Sequence, residues 1–109
     1  MNDTEFHTRA TAILDEIEAQ ADHWFEQLDL DVETKRNGNV LNLIFESGHQ
    51  VVINSQAPLH EMWLAARSGG FHYKFDGQHW KDTRGGSDLH LLLSQICSDE
   101  TGQTLTVTL

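Results

Sequence analysis

The sequence predicts an α+β fold: a two-layer α/β sandwich in which N- and C-terminal helices cover one face of an antiparallel sheet of about six strands. Three observations carry this expectation. Helical periodicity occupies both ends of the chain. Between them, short runs of alternating residues are separated by Asn-Gly, Ser-Gly, Gly-Gly and Asp-Gly pairs, the chemistry of tight hairpin connections. Each helix has one apolar face, and the apolar side of a meander is the simplest surface for both to cover. With 109 residues and no repeat or linker composition, residues 1–109 read as one domain.

Taken in order, residues 3 to about 26 form the first helix. Phe6, Ala10, Ile13, Leu14, Ile17, Ala21, Trp24 and Leu28 recur in steps of three and four, with no Gly or Pro between them. Asn2 or Asp3 is placed to cap it. Asp15, Glu18, Asp22 and Glu26 share one face of this helix. Like charges at that spacing repel by about 0.2–0.5 kcal/mol per pair, so the stripe is a small destabilisation that the helix tolerates. A first strand follows, with Leu30, Val32 and Thr34 on one side and Asp29, Asp31, Glu33 and Lys35 on the other. Asn37-Gly38 turns it into Val40–Phe45, and Ser47-Gly48 turns that into Gln50–Ser55. Pro58 ends the third strand. His60–Ala65, Phe71–Phe75 and Gln78–Asp82 are the fourth, fifth and sixth. Ser87 is placed to cap a closing helix over residues 88–98, whose apolar face is Leu89, Leu92, Leu93 and Ile96. The tail from Thr104 to Leu109 is expected to lie extended against that helix.

Charge is distributed unevenly. Of 17 acidic residues, ten lie between Asp3 and Glu33 beside a single base, Arg9. The rest of the chain is close to neutral. A formal charge of −10 argues against nucleic acid and anionic membrane surfaces as partners, since both bind through cations. It favours basic proteins and metal cations. The single cysteine, Cys97, excludes a disulfide framework and suits a reducing compartment. The polar, acidic start is not that of a signal peptide, and no apolar run reaches membrane-spanning length. A cytoplasmic protein is the expectation.

Hard cations prefer carboxylate oxygens, so the acidic face is a candidate metal surface. Such a surface cannot wrap an ion. It keeps bound waters, binds weakly and discriminates poorly, so calcium, manganese or cobalt should bind as well. A merely solubilising face has the same composition, and both readings stand at this point. Asp3 and His7, four apart, are able to share an ion. The other histidines show no ligand spacing. Alternation places Asn54, Gln56, Glu61 and Trp63 on the side of the sheet away from the helices, although Trp63 reads equally well as core. Neither nucleophile-elbow nor phosphate-cradle motifs occur, and no enzyme is implied.

The run Asn54-Ser55-Gln56-Ala57-Pro58, followed by Met62-Trp63-Leu64-Ala65, resembles the central signature of the frataxin family. Phe71-His72-Tyr73, Trp80 and the Leu-rich helix after Gly86 continue the likeness, and Met1 to His7 resembles the opening of bacterial members. The resemblance spans essentially the whole chain. It implies the frataxin fold and weak surface binding of ferrous and ferric iron. It also implies regulation of iron–sulfur cluster assembly through contact with the cysteine desulfurase and its scaffold protein. The working unit implied is a monomer, with iron-driven oligomerisation left open.

Carried onto this sequence, the resemblance places metal ligands at Asp15, Glu18, Asp22, Asp29, Asp31 and Glu33, with Glu26 added and Asp3 and His7 as an outlying site. It places the partner surface at Asn54, Gln56, Trp63, Arg67 and His72. This chain departs from the family at Ala19, His23 and Phe25, where relatives often carry acids, and at Ser55 and Glu61. A thinner ridge and a less basic sheet face are expected. A ferroxidase or iron-storage activity, and an acidic docking module without metal, are the alternative functions.

Overall fold

The computed structural model describes residues 1–109. The first helix, α1, spans Asp3–Leu28. Asn2 caps it, its Oδ1 accepting from the Glu5 backbone N–H at 2.7 Å. It ends where Asp29 turns left-handed with φ 55°, a conformation that Asp tolerates better than most residues. Six strands follow: β1 (Val32–Asn37), β2 (Val40–Phe45), β3 (Gln50–Gln56), β4 (Glu61–Ala66), β5 (Gly69–Phe75) and β6 (Trp80–Asp82). They form one antiparallel sheet in the order β1-β2-β3-β4-β5-β6. The second helix, α2, spans Leu89–Thr101. The predicted architecture is the observed one.

The core lies between helices and sheet. Phe6, Leu14, Ile17 and Trp24 of α1 meet Leu41, Leu43, Ile53, Met62, Leu64 and Tyr73 of the sheet. Leu89, Leu93 and Cys97 of α2 complete it, and burial pushes the Cys97 thiol up to about 12. Tyr73 is buried to its hydroxyl, which has no hydrogen-bond partner. Burial first, then Asp82 and Asp88, raise its pKa. The tail is held by side chains standing in for a strand ladder. Ser94 and Ser98 of α2 bond Val107 and Leu105, while Gln20 of α1 both donates to and accepts from Thr108. It therefore packs on both helices rather than on α2 alone.

Several boundaries differ from the sequence reading, each for a local reason. β4 starts at Glu61 because residues 57–59 form a 3-10 turn that ends with His60 at φ 52°. β6 starts at Trp80 because Asp76 Oδ1 accepts from the backbone N–H groups of Gln78 and His79 at 2.9 and 2.8 Å. Those two bonds withdraw 78 and 79 from the ladder and hold the Asp76 carboxyl below the ordinary carboxylate range. The cap of α2 is Asp88, not Ser87, and its side chain makes no capping bond. Residues 83–88 reverse the chain between β6 and α2. Gly86 approaches the Asp82 carboxylate so closely there that a Cβ would collide with it.

Candidate functional site

The strand pattern decides which acids of the first 33 residues face which way. β1 pairs with β2 so that Val32, Thr34 and Arg36 lie opposite Phe45, Leu43 and Leu41. Those β2 residues are buried under the helices, so Thr34 and Arg36 also face the helix layer. Thr34 Oγ1 donates to Asp22 at 2.8 Å. Arg36 Nη1 reaches across to Asp15 at 2.9 Å and Glu18 at 3.2 Å. Three of the four stripe carboxylates on α1 thus have a partner within the protein. Asp15 nonetheless keeps 63% of its side chain exposed, whereas Arg36 is 19% exposed. The guanidinium is inserted and the carboxylate is its lid.

Alternation puts Asp29, Asp31 and Glu33 together on one side of the first strand, and the structure corrects this. Asp29 is the helix cap and Asp31 sits in the connector before β1, so neither is a strand residue. Glu33 lies in β1 with its side chain on the face away from Thr34 and Arg36. Glu26, Asp29, Asp31 and Glu33 are all exposed. The ridge is a partly neutralised helix stripe at Asp15, Glu18 and Asp22, followed by open carboxylates at its C-terminal end. Oxygen donors spread over a surface in this way suit a hard cation that keeps much of its water. At the other end of α1, Asp3 Oδ1 is 2.7 Å from His60 Nε2, whose ring stacks on Phe6. Asp3 is therefore engaged with His60 rather than set aside for His7, which is exposed on the helix surface.

The opposite face of the sheet carries no helix. Asn54, Trp63 and His72 sit side by side in register across β3, β4 and β5. The Trp63 and His72 rings stack with centroids 4.2 Å apart and 5° between planes. Trp63 is half-buried, so it is neither core nor freely projecting. Its indole N–H donates to Glu61 Oε1 at 2.9 Å. Glu61, expected to point outward, is instead the one buried charged residue, 8% exposed. His72 Nδ1 at 3.6 Å and Lys74 Nζ at 3.9 Å complete its surroundings. A carboxylate so enclosed is stable only with such partners, and here it fixes the tryptophan ring. Gln56 pairs with Glu61 in the next row. Arg67 lies in the β4–β5 turn, away from this row.

One group escaped the sequence reading. His79, Asp88 and His90 place three ligand atoms within 4.8 Å of one another. The available signal was the chain reversal at Gly85-Gly86, which folds residue 79 back toward residue 90.

The sequence matches the frataxin-like domain family over residues 1–103. Over all 109 residues, and the full length of both chains, it is 57% identical to the iron-sulfur cluster assembly protein CyaY of Bordetella parapertussis. It is 46% identical to the protein of the same name in Cupriavidus necator over 107 residues, covering 98% of this chain and 96% of the relative. Among solved structures, frataxin from Psychromonas ingrahamii superposes with a TM-score of 0.86 at 34% identity, covering all of both chains. Trimeric frataxin from Saccharomyces cerevisiae, complexed with ferrous iron, gives 0.76 at 23% identity over 86% of each chain. That last likeness carries the fold alone.

Proposed function

The chain belongs to the frataxin-like family, and on that premise we propose that it is an iron-responsive regulator of iron–sulfur cluster assembly. Iron is its cargo or signal. Ferrous and ferric ions bind weakly at the ridge, where Glu26, Asp29, Asp31 and Glu33 are open and Asp15, Glu18 and Asp22 are shared with Arg36 and Thr34. The cysteine desulfurase and the scaffold protein are the partners. Two surfaces serve them: the ridge meets basic patches, and the Asn54–Trp63–His72 row, with Gln56 in the next row and Arg67 farther off at the β4–β5 turn, supplies the contact that depends on shape.

The observation that carries this reading is the exposed carboxylate surface along α1 and its C-terminal connector, in a chain whose remaining charge is balanced. Oxygen donors on a rigid element favour a hard cation held with several waters, not a catalytic di-iron centre with inward-facing Glu-x-x-His ligands. The unit that acts is the monomer, and sedimentation during iron addition reads any oligomerisation.

The test is a cysteine desulfurase assay with and without ferrous iron, using wild type and the triple variant Asp15→Asn, Glu26→Gln, Asp31→Asn. Wild type is expected to change desulfurase turnover in an iron-dependent manner, and the triple variant to lose the iron dependence. Equal iron response in both proteins would remove the ridge from the mechanism. Amide NMR during anaerobic iron titration supplies the location: shifts belong at residues 15–33, and shifts centred on Trp63 would contradict the assignment.

A further inference from the structure

We propose that His79, Asp88 and His90 form a second metal site, separate from the acidic ridge and selective for borderline divalent transition ions such as Zn²⁺. Three elements build it. His79 closes the loop before β6, a loop pinned by the two backbone bonds to Asp76. Asp88 precedes α2, and its carboxylate, unused as a helix cap, turns toward the cluster instead. His90 lies in the first turn of α2. The two imidazoles stack with centroids 4.8 Å apart and 27° between planes. All three side chains are half-buried, which limits their rotamers while leaving them accessible.

The distances fit an open site one small movement from closure. Zn–N and Zn–O bonds of about 2.0–2.2 Å at tetrahedral angles put donor atoms ~3.4 Å apart. The donors here lie within 4.8 Å, so side-chain rotation of an ångström or so closes the site without moving the backbone. A cleft of about 300 Å³ beside it, lined by Arg9, Glu16, Phe75, His79 and His90, leaves room for water or a further ligand. Opposing charges are present. Lys81 Nζ sits 3.2 Å from Asp88 Oδ2, Arg9 borders the cleft, and the positive end of the α2 dipole lies close by. The Asp88 carboxylate offsets the dipole, Glu5 pairs with Arg9 at 3.2 Å, and Lys81, half exposed on a flexible stem, can turn to water when a cation displaces it.

Donor type separates this site from the ridge. Two imidazoles and one carboxylate favour Zn²⁺, Co²⁺ or Ni²⁺ over Ca²⁺ and Mg²⁺, while an all-oxygen surface makes no such choice. The site also joins the 76–79 loop to α2, so its occupancy stiffens the corner of the fold where β6 meets the helix.

The experiment is a Zn²⁺ titration of the full chain in a large excess of Ca²⁺, which occupies the ridge, followed by long-range ¹H–¹⁵N NMR of histidine ring nitrogens. One equivalent of Zn²⁺ is expected to shift the ring nitrogens of His79 and His90 and the amides of residues 76–79 and 87–91. Even the outer partners of metal ligands are worth about 10–100-fold in affinity, so His79→Gln should weaken Zn²⁺ binding by at least ~10-fold. Asp88→Asn should weaken it less, and the ridge triple variant should leave it intact. His90→Gln disturbs a helix start, which is why the loop variant His79→Gln carries the decision. Ring nitrogens of His79 and His90 unmoved by Zn²⁺, or unchanged affinity in His79→Gln, would overturn the site whatever the ridge does.

Discussion

The two outward surfaces of this molecule are built on opposite principles. Along α1 the carboxylates are numerous, open to water and interchangeable, and Arg36 is a countercharge inserted from the neighbouring strand. Around Trp63 there is one carboxylate, Glu61, and it is buried and committed to an indole N–H, an imidazole and a lysine. Binding at the first surface would rest on summed charge, which tolerates the loss of any one group and is screened by salt. Binding at the second would rest on a single oriented ring, which tolerates very little. Removing one acid leaves the rest of the ridge in place, whereas removing Trp63 or Glu61 takes away the stacked ring or the carboxylate that holds it.

The largest effect should come from Trp63→Ala. A central aromatic anchor of an interface is commonly worth about 2 kcal/mol or more, so desulfurase affinity measured by calorimetry should fall roughly 30-fold. The ring stands outside the buried cluster, so the variant should melt cooperatively close to wild type. A collapsed melting curve would show that the uncovered face is core and end the contrast.

Next is Glu61→Ala. It leaves the Trp63 N–H without its acceptor, and His72 and Lys74 without the carboxylate beside them. A hydrogen bond to a charged group is worth about 1.5–3 kcal/mol, and chemical denaturation should show a loss near the lower figure because the partners reach water. Glu61→Gln keeps an acceptor for the indole and should recover about half. Full recovery by Gln would mean that charge contributes nothing there and that the ring is held by geometry alone.

Arg36→Gln tests the ridge. Removing the guanidinium frees Asp15 and Glu18, so the affinity for divalent cations measured by calorimetry should rise, by about threefold if the gain is close to the ~0.5–1 kcal/mol of one partly exposed ion pair. Stability should fall by no more than ~1 kcal/mol. No change in metal affinity would place the binding ions entirely at the open end, on Glu26, Asp29, Asp31 and Glu33.

The smallest expected change lies outside both surfaces and calibrates them. Glu100 of α2 accepts from Ser47 at 2.8 Å and pairs with His49 at 2.7 Å. Burial raises its pKa, but those two bonds outweigh burial and the net shift is downward. A depressed folded pKa stabilises above the unfolded value of about 4.3, and that stability is lost as pH falls through the folded pKa. Glu100→Gln should therefore cost up to ~1 kcal/mol at pH 6, where Glu100 is ionised. The gap to wild type should close as the pH drops below 4 in a urea-unfolding series.

Much of the fold was readable from the chain because its signals are local. The period of Phe6 through Leu28 defines α1, Gly38 at φ 57° is the residue its hairpin needs, and the alternation in β2 and β3 assigns their faces. The carboxylate stripe at Asp15, Glu18, Asp22 and Glu26 follows from the same helical period. The signature at Asn54 to Ala65 pointed to the family, and the full-length match to frataxin-like relatives shows the same family.

Other features rest on where distant segments cross, and no local period records that. Arg36 lies 21 and 18 residues from Asp15 and Glu18. It meets them only because the edge strand β1 runs beneath the stripe with its odd residues turned to solvent and its even residues turned toward α1. Glu61 alternates as an outward residue, yet the stacked rings of Trp63 and His72 close over it. His79 and His90 come together through the chain reversal over residues 83–88. Sequence by itself determined the elements, their order and the surplus of charge, since these depend on neighbours in the chain. Tertiary structure alone decided which charges are neutralised, which tryptophan edge is fixed and which histidines meet, since those depend on contacts formed only after helix and sheet have packed.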